Sequence, residues 1–424
     1  MQILKKRLAR IKPDRLLIMC NTLFMFGLAL SSIFVNVYIW KVDHSFVAIG
    51  VFNLCVFAAV TFGFYVGGQV SSHWIDLWLI RFGLIVLAMF FLLLLLLRER
   101  SAHYFWWLGL LFGFGQGIYW YGFHVTMFSL TSIDNRASFN GINGFFASLV
   151  SMAAPFLAGF LISHSPDYVG YHVVFAASLV LFALAFWLVF ALPKGSLHDS
   201  LRLSEGFRLA TDPDWKRLWF GSLIFGLREG VFAFYIGLLV FFATKSEEGL
   251  GEYGLWTGLV SLVGFYAVRL IKKERHKQLL MVISGVIVGL ACLLLLQGVH
   301  RMVLIVFGTV TALCMPFFVV PFSAMLMNEI DESKRSKERL PEYLISREIA
   351  LGIGRVLGIS VYLLVIRLLR QPLYLLQLAV ILGFAHAIVA LIIRKVTFDS
   401  RDGREGGSLE RASARSASRL VRAK

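Results

Sequence analysis

The chain has 424 residues, of which 58% are hydrophobic and only 16% charged, with a mean hydropathy of +0.76. A soluble domain carries about a quarter charged residues, so a water-soluble globular fold is excluded. A β-barrel needs alternating segments of about ten residues, and the apolar runs here are unbroken. The net charge of +16 raises nucleic acid as a partner, and the placement of the charges must decide.

Spanning a hydrocarbon core takes about 20 mainly apolar residues per helix. In chain order, such runs fall at about 16–40, 45–69, 78–97, 104–126, 140–163, 171–192, 218–243, 252–271, 279–298, 302–326, 344–366 and 372–393. The first follows a basic leader, Lys5-Lys6-Arg7 to Arg15. It is too long for a cleavable signal and lacks a small-residue cleavage site, so it reads as an uncleaved anchor. The fourth run carries Gly109, Gly113 and Gly117 at every fourth position, a smooth strip for close helix contact. The same run holds Gln116, Tyr119, Trp120 and Tyr121. Pro155 in the fifth and Pro316 and Pro321 in the tenth are tolerated in a bundle and can kink their helices. Gly285-x-x-x-Gly289 and Gly354-x-x-x-Gly358 are packing motifs, not dinucleotide loops.

Both termini and every second loop lie on one face of the membrane, and that face holds 32 of the 41 Lys and Arg residues. The opposite loops hold seven, and Arg228 and Arg355 lie inside runs. The positive-inside rule therefore puts both termini in the cytoplasm of a cell membrane. Topology absorbs the basic excess, so no nucleic-acid partner is expected. Cys20, Cys55, Cys292 and Cys314 all fall within expected helices, so no disulfide framework is expected. Neither CxxC nor a His-rich cluster suggests a metal.

The runs divide at the longest loop, 193–216, into a first six-helix bundle (1–192) and a second (217–396), with a short interfacial helix expected around 204–210. Residues 397–424 form a basic Ser-, Ala- and Gly-rich tail, expected to be disordered, that reinforces orientation or attracts membrane lipids. The halves echo one another. PDRLLIMCNTLFMFGL at 13–28 pairs with PDWKRLWFGSLIFGL at 213–227, and GFYV at 63–66 with GFYA at 264–267. Parallel repeats of this kind are a transporter plan.

In span number, termini, central loop and repeat offset, the chain resembles the major facilitator superfamily over essentially all of residues 1–396. The resemblance implies an all-α membrane protein of twelve transmembrane helices in two six-helix bundles. Its motifs match in part. The fifth-helix Gly-Pro pattern stands as Ala154-Pro155-Phe156-Leu157-Ala158-Gly159, a degraded form that supports export weakly. In the fourth helix Gln116-Gly117 is present, but Gly113 stands where the family often has an Arg associated with proton coupling. After the second helix, Gly68 matches, Ser72 replaces an Asp, and Arg81 is a displaced basic residue. The stretch REIALGIGRVLG at 347–358 looks like a poorly characterised YqgE-like branch of transporters.

The residues that could carry mechanism are intramembrane charges. Glu229 lies about eleven residues into the seventh run, or roughly 16 Å at 1.5 Å per residue, near the middle of a core about 30 Å thick. Such groups usually face a bundle interior or wet cavity and mark function. Arg228 beside it points about 100° away. In the first half, FGL is followed by Ala29-Leu30 instead, so the scaffold itself does not require charge. Arg355 sits at similar depth in the eleventh run, with Glu348 two turns earlier on the same face and Arg347 nearer the interface. Glu229 with Arg355, and Arg228 with Glu348, are the compatible pairs.

These positions lead to a secondary transporter working by alternating access, with Glu229 as proton carrier, Arg228, Arg355, Gln116 and Tyr119 as substrate contacts, and Arg347 and Glu348 as gating or ion-pair support. The competing reading is a fixed ion pair pinning helix seven to helix eleven. No P-loop is present, so no cofactor is expected beyond an ion gradient, most simply H+. The expected partner is an amphipathic small molecule, moved outward by a monomer. Uptake, lipid-headgroup flipping and a non-transporting receptor or scaffold are the alternatives. No nucleophile–base pair or metal spacing points to an enzyme.

Overall fold

The computed structural model describes residues 11–71, 76–131, 133–193, 213–271, 273–332, 336–369, 371–394 and 396. The basic leader through residue 10, Ser72, the helix expected around 204–210 and the tail 397–424 lie outside the described residues.

All regular structure among the described residues is helical. The first half comprises α1 (Pro13–Asp43), α2 (Phe46–Ser71), α3 (Asp76–Leu97), α4 (Phe105–Leu130), α5 (Ile133–Ser163) and α6 (Val169–Val189). The second comprises α7 (Pro213–Thr244), α8 (Glu247–Arg269), α9 (Glu274–Leu293), α10 (Arg301–Glu332), α11 (Ser336–Leu369) and a last crossing broken at Phe384 into α12 (Pro372–Gly383) and α13 (Ala385–Ile393). Several helices, among them α1, α7, α10 and α11, extend past their apolar runs into charged turns. Pro13 and Pro213 open α1 and α7, where a proline's missing N–H costs nothing. The GFYV and GFYA tetrapeptides lie at the same distance from the starts of α2 and α8. The internal repeat thus maps helix onto helix.

Ten of the crossings are long and apolar enough to span a membrane by length and composition alone. The other two are α4 and α8, where Gly, Trp, Tyr and polar residues replace aliphatic ones. Leu96, Trp187, Val263 and Leu368 stand outward on the exposed belt, as lipid-facing side chains do when the solvent is hydrocarbon.

Within the first half, α4 packs on α2 and α3, and α1 on α5 and α6; within the second, α7 packs on α11 and α8 on α10. The halves meet where α5 crosses α8 and α2 crosses α11. Glycine sets the closest approaches. Gly109, Gly113 and Gly117 of α4 lie against the Phe52, Val56 and Val60 carbonyls of α2. A side chain at 113 would run into the Val56 backbone, which is why no Arg occupies that position. In the second half the glycines interlock. Gly226 and Gly230 of α7 face the Leu351 and Arg355 backbone, and Gly354 and Gly358 of α11 face the Leu223 and Leu227 carbonyls.

This interlock predicts that Gly226→Val overpacks the α7–α11 contact and costs about 1–3 kcal/mol, while Gly144→Ala, which faces open space, is neutral or stabilises by about 0.5–1 kcal/mol. Thermal unfolding of the detergent-purified variants, followed by size-exclusion fluorescence, reads the difference.

Candidate functional site

The α7–α11 contact carries a cluster of four charges. Arg355 forks onto Glu229, with Nε 3.2 Å from Oε2 and Nη2 3.1 and 3.3 Å from Oε2 and Oε1. Its Nη1 donates to Glu348 Oε1 at 2.8 Å, two turns down the same helix. The guanidinium also lies 5.1 Å from the ring centroid of Phe57 on α2, across the junction between the halves. Arg347 feels both carboxylates electrostatically, and its Nε is buried without a hydrogen-bond partner. Two cations and two carboxylates sum to zero, which makes the cluster affordable in an apolar surround.

The members are not equally accessible. The side chains of Arg355 and Glu348 are 12% and 14% exposed, whereas Glu229 is 37% exposed. Glu229 is therefore the more accessible of the two carboxylates. It pairs with Arg355, one of the two pairings compatible with the sequence. The other does not form: Glu348 is taken by Arg355, and Arg228 points elsewhere because consecutive helical residues diverge by about 100°.

Arg228 is 7% exposed and lines a cavity of about 440 Å³. The cavity lies between α1 and α5 of the first half and α7, α8 and α10 of the second. Its Nε has no hydrogen-bond partner, and its guanidinium lies 4.0 Å from the Phe232 ring centroid. Gln116 is partly buried and donates to the Phe112 carbonyl one turn back. Tyr119 calls for a correction. It has no exposed surface, stacks on Phe24 at 3.5 Å between centroids, and donates its hydroxyl to Asn21 Oδ1 at 3.2 Å. In this structure it is core of the first half, not cavity wall.

A second ionic contact, absent from the sequence reading, joins the halves on the face away from the termini. Lys41 at the end of α1 pairs with Glu247 at the start of α8. The Tyr171 hydroxyl of α6 donates to the same carboxylate at 2.6 Å. Next to it the Glu248 N–H donates to Ser163 Oγ of α5 at 2.9 Å, and Gly251 and Gly254 lie against Pro155. Towards the terminal face α5 and α8 part: Gly141 and Gly144 meet open space, and Phe145 and Tyr266 are exposed. Meanwhile α2 and α11 stay together from Gly50 against Leu363, through Thr61 against Gly352, to Gly68 against Ile345.

The sequence profile of the Major Facilitator Superfamily matches residues 17–337. The chain is 33% identical over 383 residues to the uncharacterized protein YqgE of Bacillus subtilis (strain 168), covering 90% of this chain and 89% of that one. Its fold is similar to that of the nucleoside transporter NupG, with a TM-score of 0.66 at 13% identity over 92% of this chain and 100% of that one. A D-xylose-proton symporter aligns with a TM-score of 0.64 at 15% identity, covering 91% and 97%.

Two predictions follow from the ionic contacts. Arg355→Leu removes the cation hydrogen-bonded to buried Glu348 and costs about 3–5 kcal/mol. Glu229→Gln retains hydrogen bonding at a partly exposed position and costs under about 1 kcal/mol. Apparent unfolding temperatures should rank the two in that order. Separately, Glu247→Gln loosens the seal on the far face. A cysteine at Ile33, in a background lacking the native cysteines, should then react with an impermeant maleimide from that face, where the parent protein stays protected.

Proposed function

The chain belongs to the Major Facilitator Superfamily, and from that premise we propose that it is a secondary active transporter that moves a small organic molecule by alternating access. The family and the fold favour a transporter over an enzyme. The observation that carries the reading is the partly exposed Glu229 carboxylate, bound to Arg355 where α11 meets Phe57 of the other half.

Coupling works through that pair. While Glu229 is ionised, Arg355 is shared between two carboxylates. A proton on Glu229 removes one charge and leaves Arg355 to Glu348. Arg355 also touches Phe57 on α2, so a change in its partners bears directly on the α2–α11 contact between the halves. A ligand or proton shifts such an equilibrium by its differential affinity for the two arrangements. The protein acts as a monomer in the cell membrane with both termini in the cytoplasm, a reading supported by the 32 basic residues on that face. A seal on the far face and parted α5 and α8 on the terminal face then correspond to a cavity approached from the cytoplasm. The degraded fifth-helix pattern from Ala154 to Gly159 favours export of an amphipathic compound against inward proton movement.

In proteoliposomes of purified protein, Glu229→Gln should abolish pH-gradient-driven flux while leaving the unfolding temperature near that of the parent. Undiminished response to the gradient in that variant would discard Glu229 as carrier.

A further inference from the structure

Among the described residues of the second half, Arg228 is a buried cation that forms no ion pair. Arg355, Glu229 and Glu348 satisfy one another, and Glu247 is held by Lys41 and Tyr171. Arg228 makes no hydrogen bond or ion pair with any described residue, although 93% of its surface is buried (7% exposed). Its neighbour Glu229 projects onto α11 and has both oxygens engaged. The other titratable groups that feel Arg228 are Cys292 of α9 and His386 of α13. An imidazole never carries negative charge, and a thiol is mostly protonated at neutral pH. The protein therefore supplies no hydrogen-bonded counter-charge to Arg228, and Glu229 acts on it only through space.

A second observation points into the same space. Thr311, on α10, lines the Arg228 cavity and has a buried hydroxyl with no hydrogen-bond partner. Buried polar atoms are almost always satisfied, and a buried cation without an anion is strongly disfavoured. Residues from two helices that line one cavity thus each carry a buried hydrogen-bonding atom without a partner. Tyr253 and Thr257 add hydroxyls from α8, and the remaining wall is largely apolar, including Phe232 and Ile236. The cavity volume, about 440 Å³, lies in the range of small-molecule sites.

We propose that this cavity binds the carboxylate group of an amphipathic organic monoanion, with Arg228 as its ion-pair partner and Thr311 as a second donor. One cation matches one negative charge, and the planar guanidinium fork suits a carboxylate. A dianionic phosphate would keep a buried charge uncompensated. The apolar wall takes the organic part of the molecule. This assignment rests on the transport reading and names its substrate class.

The test uses the purified full chain in lipid nanodiscs and pairs of equal shape and different charge. Phenylacetate is compared with phenylacetamide, and decanoate with decanamide, so that the first pair represents a soluble aromatic acid and the second a lipid-derived one. Calorimetry and thermal shift read binding. At least one acid should bind ten times or more tighter than its amide and raise the unfolding temperature. Arg228→Gln should remove at least tenfold of the acid's affinity and leave the amide's unchanged, with Arg228→Lys between them. Thr311→Val should weaken the acid several-fold. Loss of the uncompensated charge should leave Arg228→Gln at least as stable as the parent. If that variant does not fold, Thr311→Val and the acid–amide comparison in the parent decide. Equal binding of acid and amide, absence of binding by both acids, or an acid preference that survives Arg228→Gln overturns the proposal. Acid binding without flux in proteoliposomes would keep the anion site and discard transport. Flux of neutral compounds unaffected by Arg228→Gln, with no preference for charge, would keep transport and discard the anion site.

Discussion

Between α7 and α11 backbone touches backbone, and the charged centre of the molecule hangs on that contact. In hydrocarbon there is no hydrophobic gain from pressing one apolar helix on another, so association depends on close van der Waals fit. Gly226 and Gly230 on one helix and Gly354 and Gly358 on the other remove the side chains that would hold the axes apart. Carbonyls then lie against Cα atoms, a geometry that allows weak C–H···O contacts. At that distance a guanidinium on α11 reaches a carboxylate on α7 in a forked hydrogen bond. A wider helix pair would strand both charges in an apolar medium.

The two halves use the same scaffold differently. In α1 the Phe-Gly-Leu step leads to Ala29 and Leu30, and Leu30 is simply buried. In α7 the same step leads to Arg228 and Glu229. Since consecutive side chains diverge by about 100°, one dipeptide serves two places. Glu229 meets the α11 cation at the inter-half seam, and Arg228 turns to the cavity between α7, α8 and α10. The ion pair and the cavity-lining cation are thereby separated by a single rotation about one helix axis.

Much of this was legible in the sequence, and the limit has a physical cause. Depth along a helix follows from rise per residue, so the level of Glu229 and Arg355 could be counted from the start of each run. The Gly109–Gly113–Gly117 strip could be read as a contact face, though not that α2 would be its partner. Direction around the axis was harder, because helices apolar on every side carry no pattern to say which face turns inward. Hence Tyr119, at the right depth, proved to be core. The Lys41–Glu247–Tyr171 contact joins three helix ends far apart in sequence, each ordinary alone. Thr311 gave no signal either, since its significance lies in what stands across the cavity from it.

The seams between the halves are unequal. Along α2 and α11 contacts recur from Gly50 to Gly68, whereas on α5 and α8 the glycines are in contact at Gly251, Gly254 and Gly258 and meet open space at Gly141 and Gly144. Such a body is built like a book with an intact spine and pages parted at one flank. The gap at that flank is bordered by exposed Phe145 and Tyr266, side chains at home among acyl chains. Whatever meets the wall from that side does so by way of its partition between oil and water.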